Sequence, residues 1–195
     1  MKNSSNNREA EEKGIITNIS FYPETATMLL DIDEKAPSLE TKRAEAEKLG
    51  LREKKDFHIT VIGSDTGEEI LESLSGLDEQ AREDKLNEIY KLGKSMAWEV
   101  TLNDKYFYVQ KDYIHPGEID PEQTTSETRK SILQMADVKG MDEFYKKLNA
   151  MVEKKFDTPL PHITLYTTST REDKRLRGIG IYSKKLFDEL NPEKI

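Results

Sequence analysis

The stretch Asp56-Phe-His-Ile-Thr-Val-Ile-Gly63 decides the fold once it is set beside Pro159-Leu-Pro-His-Ile-Thr-Leu-Tyr-Thr167. Each is a short apolar run with turn formers next to it, Gly63-Ser64 after the first and Pro159-Leu-Pro161 before the second, so both read as strands. Side chains on a strand alternate between faces. His58 and Thr60 therefore project to one side, with Phe57, Ile59 and Val61 on the other. In the second string His162, Thr164 and Tyr166 share a face opposite Ile163 and Leu165. A polar pair at period two on an otherwise buried strand is costly unless it is satisfied or used. Two such pairs point to one shared polar cleft.

Each of these strands follows a helix. Pro37-Ser38 opens one that Gly50 closes, over about 39–49. Met141, Phe144, Tyr145, Leu148, Met151 and Val152 recur at helical spacing before the second strand. Strands are expected at 15–20 and 25–31 on either side of Tyr22-Pro23. Two helices fill 67–96, the first stopped by Gly76 and the second begun by Asp78. Trp98, Val100 and Leu102, then Phe107 and Val109, alternate around Asn103-Asp104, which predicts a hairpin over 97–111. A Pro/Gly loop is expected from His115 to Ser126, a strand over 129–138, and a last strand over Ile179–Tyr182 running into a helix opened by Ser183. A helix followed by a His-Ile-Thr strand thus occurs twice, about half a chain apart, as in an internal duplication. Residues 1–13 read as a disordered polar leader, and 14–195 as a single domain of two lobes.

Composition bounds the partners. A chain of 195 residues can bury a real core, and although 35% of it is charged, its apolar residues fall in periodic clusters. A formal net charge of -8 argues against coating long nucleic acid, which needs a basic face for counterion release. A small nucleotide or an RNA end remains compatible. With no cysteine, a disulfide framework, a thiolate zinc site and a cysteine nucleophile are all excluded. No stretch is long and apolar enough to span a bilayer, and the expected location is cytoplasmic.

The chemistry follows from the three histidines, two of which head the paired strings. Imidazole titrates near neutrality, so one histidine can act as general base while the other acts as general acid. That division suits in-line phosphodiester cleavage without a metal or other cofactor, with the two threonine hydroxyls donating to non-bridging phosphate oxygens. Tyr166, on the cleft face by alternation, is a candidate to stack on a base. Arg129 is a candidate phosphate contact. His115, in Ile-His-Pro-Gly, reads as a surface histidine, and Gly178-Ile-Gly180 as backbone geometry alone.

The phrases DFHITVIG and PLPHITLYT resemble the paired His-x-Thr/Ser-x motifs of the two-histidine (2H) phosphoesterase superfamily. The resemblance implies an α+β fold, bilobal and pseudo-symmetric, with two antiparallel sheets lining a central cleft and helices outside. It implies catalytic roles for His58, Thr60, His162 and Thr164. The implied substrates are nucleotide phosphodiesters: a 2′,3′-cyclic phosphate, a 2′-5′ linkage or a cyclic oligonucleotide. Two rivals make different demands. A non-catalytic nucleotide sensor would keep the cleft but release no product, and an interaction protein with purely structural motifs would hold its histidines far apart.

Overall fold

A computed structural model describes residues 15–116, 124–171 and 178–195, so the leader expected over 1–13 lies outside the described residues. In chain order come β1 (Ile16–Tyr22), β2 (Thr27–Ile32), a 3-10 turn (Leu39–Lys42), α1 (Arg43–Lys48), β3 (Arg52–Glu53), β4 (Phe57–Ile62), α2 (Ser64–Ser73) and α3 (Glu79–Ser95). Then follow β5 (Glu99–Pro116), β6 (Thr124–Lys139), α4 (Met141–Val152), β7 (His162–Ser169), α5 (Lys184–Glu189) and β8 (Glu193–Lys194). The class is α+β, with one sheet in the order β1-β2-β4 and a second in the order β3-β7-β6-β5-β8. Every pairing in both is antiparallel. Two paired strands, a helix and a motif strand thus follow one another twice, as β1, β2, α1, β4 and as β5, β6, α4, β7.

The likeness extends to register. Leu29 pairs with Thr60 and Met28 with Ile62, leaving Val61 as an extra residue in β4. Leu133 pairs with Thr164 and Ile132 with Tyr166, leaving Leu165 as an extra residue in β7. One and the same shift in residue number carries the first set of partners onto the second. Both motif strands therefore bulge directly after their threonine, and past a bulge the alternation of faces is reset. The carbonyls of the two extra residues find their donors outside the β2–β4 and β6–β7 pairings, as a buried carbonyl must find one somewhere. The Tyr145 hydroxyl, from α4, donates to the Val61 carbonyl at 2.7 Å. The Lys54 N–H, just before β4, donates to the Leu165 carbonyl at 2.9 Å. Each half of the chain supplies the donor for the bulge of the other.

Ile59, Val61, Ile163 and Leu165, the apolar faces of the two motif strands, are fully buried in one core with Ile70, Ile89, Phe144 and Leu148 from the covering helices. Burial of such a side chain is worth roughly 1.5–3 kcal/mol, which is what holds the opposite, polar faces toward the cleft. Helix packing is close enough to demand glycine. A Cβ on Gly67 in α2 would come within 2.1 Å of the Thr25 carbonyl oxygen. Asp78 caps α3 by accepting from the Ala81 N–H, and Ser183 caps α5 by accepting from Leu186. Ser38, by contrast, makes no side-chain capping bond.

Three sequence expectations are corrected. Asn103-Asp104 is no hairpin turn: β5 runs on through it, and pairing with β6 extends from Glu99↔Lys139 to Pro116↔Thr124. The register step between Leu102 and Tyr106 absorbs the intervening residues, and Gln134 Nε2 donates to the Asn103 carbonyl at 3.1 Å. The loop expected from His115 to Ser126 is in part this same ribbon, with residues 117–123 outside the described residues. Ile179–Tyr182 is not a strand, because it has no ladder partner among the described residues. Ile179 and Ile181 instead pack on Val109, Leu133 and Phe187 in a second, smaller core.

Candidate active site

His58, Thr60, His162 and Thr164 line one cleft of about 300 Å³. The interaction-protein reading expects the histidines far apart, whereas both line this one cleft. Alternation on β4 and β7 does the placing: within each motif the histidine and threonine are half-buried and the residue between them is fully buried. Lys54, Gly63 and Ser64 line the same cleft, as does the segment from Gly178 to Tyr182. The N-terminus of α2 therefore opens onto it. Amides there lack intrahelical acceptors and suit an anion.

The two imidazoles are in different surroundings. His162 Nδ1 lies 2.8 Å from the Leu160 carbonyl oxygen. A carbonyl only accepts, so Nδ1 carries the proton and Nε2 keeps the lone pair. Burial lowers the pKa of His162, and the Leu160 bond opposes this in part. Burial also lowers that of His58, as do the charges of Lys54 and His162. Asp31, its cross-strand partner, and Asp56 pull the other way. Asp31 is itself held by Ser20 Oγ at 2.6 Å and Asn18 Nδ2 at 3.2 Å.

Tyr166 does not face the cleft. The bulge at Leu165 turns it into the core, where it is 3% exposed and its hydroxyl donates to the Leu39 carbonyl at 3.0 Å. Arg129 is not a cleft residue either, being bound to Glu127 and to the Gly178 carbonyl. His115 lies on β5 and is only partly exposed, with Nε2 2.8 Å from Glu127 Oε2. It is the long ribbon that brings these two residues together. Tyr182 was missed by the sequence reading. It lines the cleft, and its hydroxyl donates to Asp65 of α2, which helps push its pKa up to about 12. The Gly178-Ile-Gly180 pair was the one signal that this segment makes a close approach: a Cβ on Gly178 would come within 3.0 Å of Thr164 Oγ1.

Among the described residues, no group of three or more His, Asp or Glu side chains is gathered as a metal site requires. No described helix is long and apolar enough to cross a membrane. No family model, curated protein or solved structure matches this chain.

Proposed function

We propose that this chain is a metal-independent phosphodiesterase of the two-histidine type, cleaving a nucleotide phosphodiester between the His58-Thr60 and His162-Thr164 pairs. The observation that carries the reading is the shared cleft with its repeated framing: two identical His-x-Thr strings, each on a strand with the same bulge, bring four side chains to one space. A structural role asks for neither the repetition nor the convergence. The duplicated order of elements fits a bilobal, pseudo-symmetric fold around a central cleft.

In this mechanism neutral His162 is the general base, because its tautomer leaves the Nε2 lone pair available. Nε2 takes a proton from water, the water oxygen attacks phosphorus, and the bond to the leaving oxygen breaks. His58 gives that oxygen its proton. Burial keeps His58 neutral in the free protein, and a bound phosphate anion beside it favours the imidazolium, so the acid is charged on binding. Thr60 and Thr164 donate to the non-bridging oxygens as charge builds. Cleft volume and net negative charge favour a small nucleotide or an RNA end over long nucleic acid, in keeping with a cytoplasmic enzyme.

Incubation with cyclic mononucleotides, cyclic dinucleotides, 2′-5′ oligoadenylates and RNA ending in a 2′,3′-cyclic phosphate tests the reading, with products identified by mass. Turnover that survives chelator and disappears in His58→Ala and His162→Ala is the expected result. Full activity in either variant, or loss on chelation, sinks the mechanism. Binding by calorimetry without product would leave the sensor reading in its place.

A further inference from the structure

The β5–β6 ribbon carries Tyr113, His115, Glu127 and Arg129 to the flank of the cleft, where Glu127 is bonded to both His115 and Arg129. Glu127 is 3% exposed. Its Oε1 accepts from Arg129 Nε at 2.6 Å and from Ser169 Oγ at 2.6 Å. Its Oε2 accepts from Arg129 Nη2 at 2.9 Å and lies 2.8 Å from His115 Nε2. The Arg129 bonds foremost hold this carboxyl well below the usual carboxylate range. A buried ion pair is weak evidence for stability, since apolar side chains of similar volume often do as well. What it does supply is direction.

The direction is toward the cleft wall. With Nε and Nη2 engaged by Glu127, the rigid guanidinium plane is fixed and Nη1 donates to the Gly178 carbonyl at 3.3 Å. The Tyr113 ring lies 4.3 Å from the guanidinium carbon, and its hydroxyl accepts from the Gly180 N–H. Two peptide groups of the Gly178–Tyr182 segment are thus bound by two adjacent side chains of the ribbon. That segment lines the cleft, and Gly178 lies against Thr164.

We propose that Arg129, oriented by Glu127 and backed by Tyr113, is a positioning residue that pins the Gly178–Tyr182 wall over Thr164 and so sets how tightly the cleft holds its ligand. The ligand's identity rests on the phosphodiesterase reading; the clamp is a property of the free protein. Arg129→Lys keeps the charge and loses the fork, and Tyr113→Phe removes the hydroxyl that accepts from Gly180 and bonds Arg129, keeping the ring. Amide hydrogen exchange on the free protein reads the clamp directly. The Gly180 amide is expected to exchange at least about tenfold faster in both variants, with β7 amides unchanged. Wild-type protection of Gly180 in Tyr113→Phe overturns the proposal, and this substitution stands even where Arg129→Lys does not fold. On a substrate found by the phosphodiester screen, KM is expected to rise about tenfold in both variants with kcat within about twofold, as for binding lost equally from ground and transition states. A fall in kcat at unchanged KM is the contrary result. If wild-type protein turns over no phosphodiester, the functional reading fails while the exchange experiment still decides the clamp.

Discussion

The Nδ1–H of His162 donates to the Leu160 carbonyl oxygen two residues earlier, at 2.8 Å. This bond separates His162 from His58 on an otherwise repeated framework, and it sets the expected pH behaviour. Both imidazoles lie below the ordinary value of 6.5, burial being the first cause in each. With His58 as the acid of the proposed mechanism, the free protein loses that proton below pH 6.5, so kcat/KM should peak on the acid side of 6.5. The kcat profile should sit at higher pH, because bound phosphate favours the imidazolium. Rate profiles on the identified substrate check both limbs; a kcat/KM optimum in the alkaline range contradicts the assignment.

Stability should follow the same groups. Both histidines bind protons more weakly folded than unfolded, so as pH falls below 6.5 the unfolded chain takes up protons first and stability is lost toward the lowered values. Thermal unfolding of wild type against the double variant His58→Gln/His162→Gln between pH 7.5 and 5 measures this. The variant should lose less Tm on acidification, and parallel slopes would rule the linkage out.

Thr60→Val and Thr164→Val keep the shape and remove the donor. Loss of one donor that acts on developing charge costs about 10²–10³ in kcat. KM should change far less, and steady-state kinetics that show only a KM effect would reassign the threonines to ground-state binding.

Gly178 and Gly180 make an internal control. Alanine at 178 puts a Cβ within 3.0 Å of Thr164 Oγ1, whereas at 180 nothing lies within 4 Å. Gly178→Ala should lower kcat/KM about tenfold or more, and Gly180→Ala should leave it near wild type. Equal effects from the two substitutions would mean that the wall does not bear on Thr164.

Gly67→Ala tests how α2 sits on the first hairpin. Its Cβ would overlap the Thr25 carbonyl, and overpacking of this kind costs about 1–3 kcal/mol. Denaturant unfolding should show that loss; an unchanged midpoint would mean that helix and turn separate freely.

Much of the site was legible because period-two alternation is a local rule. His58, Thr60, His162 and Thr164 could be placed on common faces from their spacing alone, and the burial pattern of β4 and β7 agrees. Tyr166 shows where the rule ends. A bulge at Leu165 shifts everything after it, and nothing in Ile-Thr-Leu-Tyr marks the extra residue. Asn103-Asp104 carries the composition of a turn yet lies within a continuous strand, because pairing along β6 outweighs a local turn preference. Arg129 read as a phosphate contact because its partner Glu127, only two residues away, shares a strand face that sequence alone leaves unoriented. Ile179–Tyr182 has strand composition but gains its burial from α5 and β6 side chains, with no ladder.

The crossed donors at the two bulges bear on how the halves compare. Val61 is served by a tyrosine hydroxyl and Leu165 by a backbone amide, so the same geometric demand is answered by unrelated chemistry. An alignment of the two halves against each other would find no shared residue in the supplying positions, even where the backbones superpose. Repetition in this chain lies first in strand order and register, and the His-Ile-Thr strings are where it surfaces most plainly as matching letters.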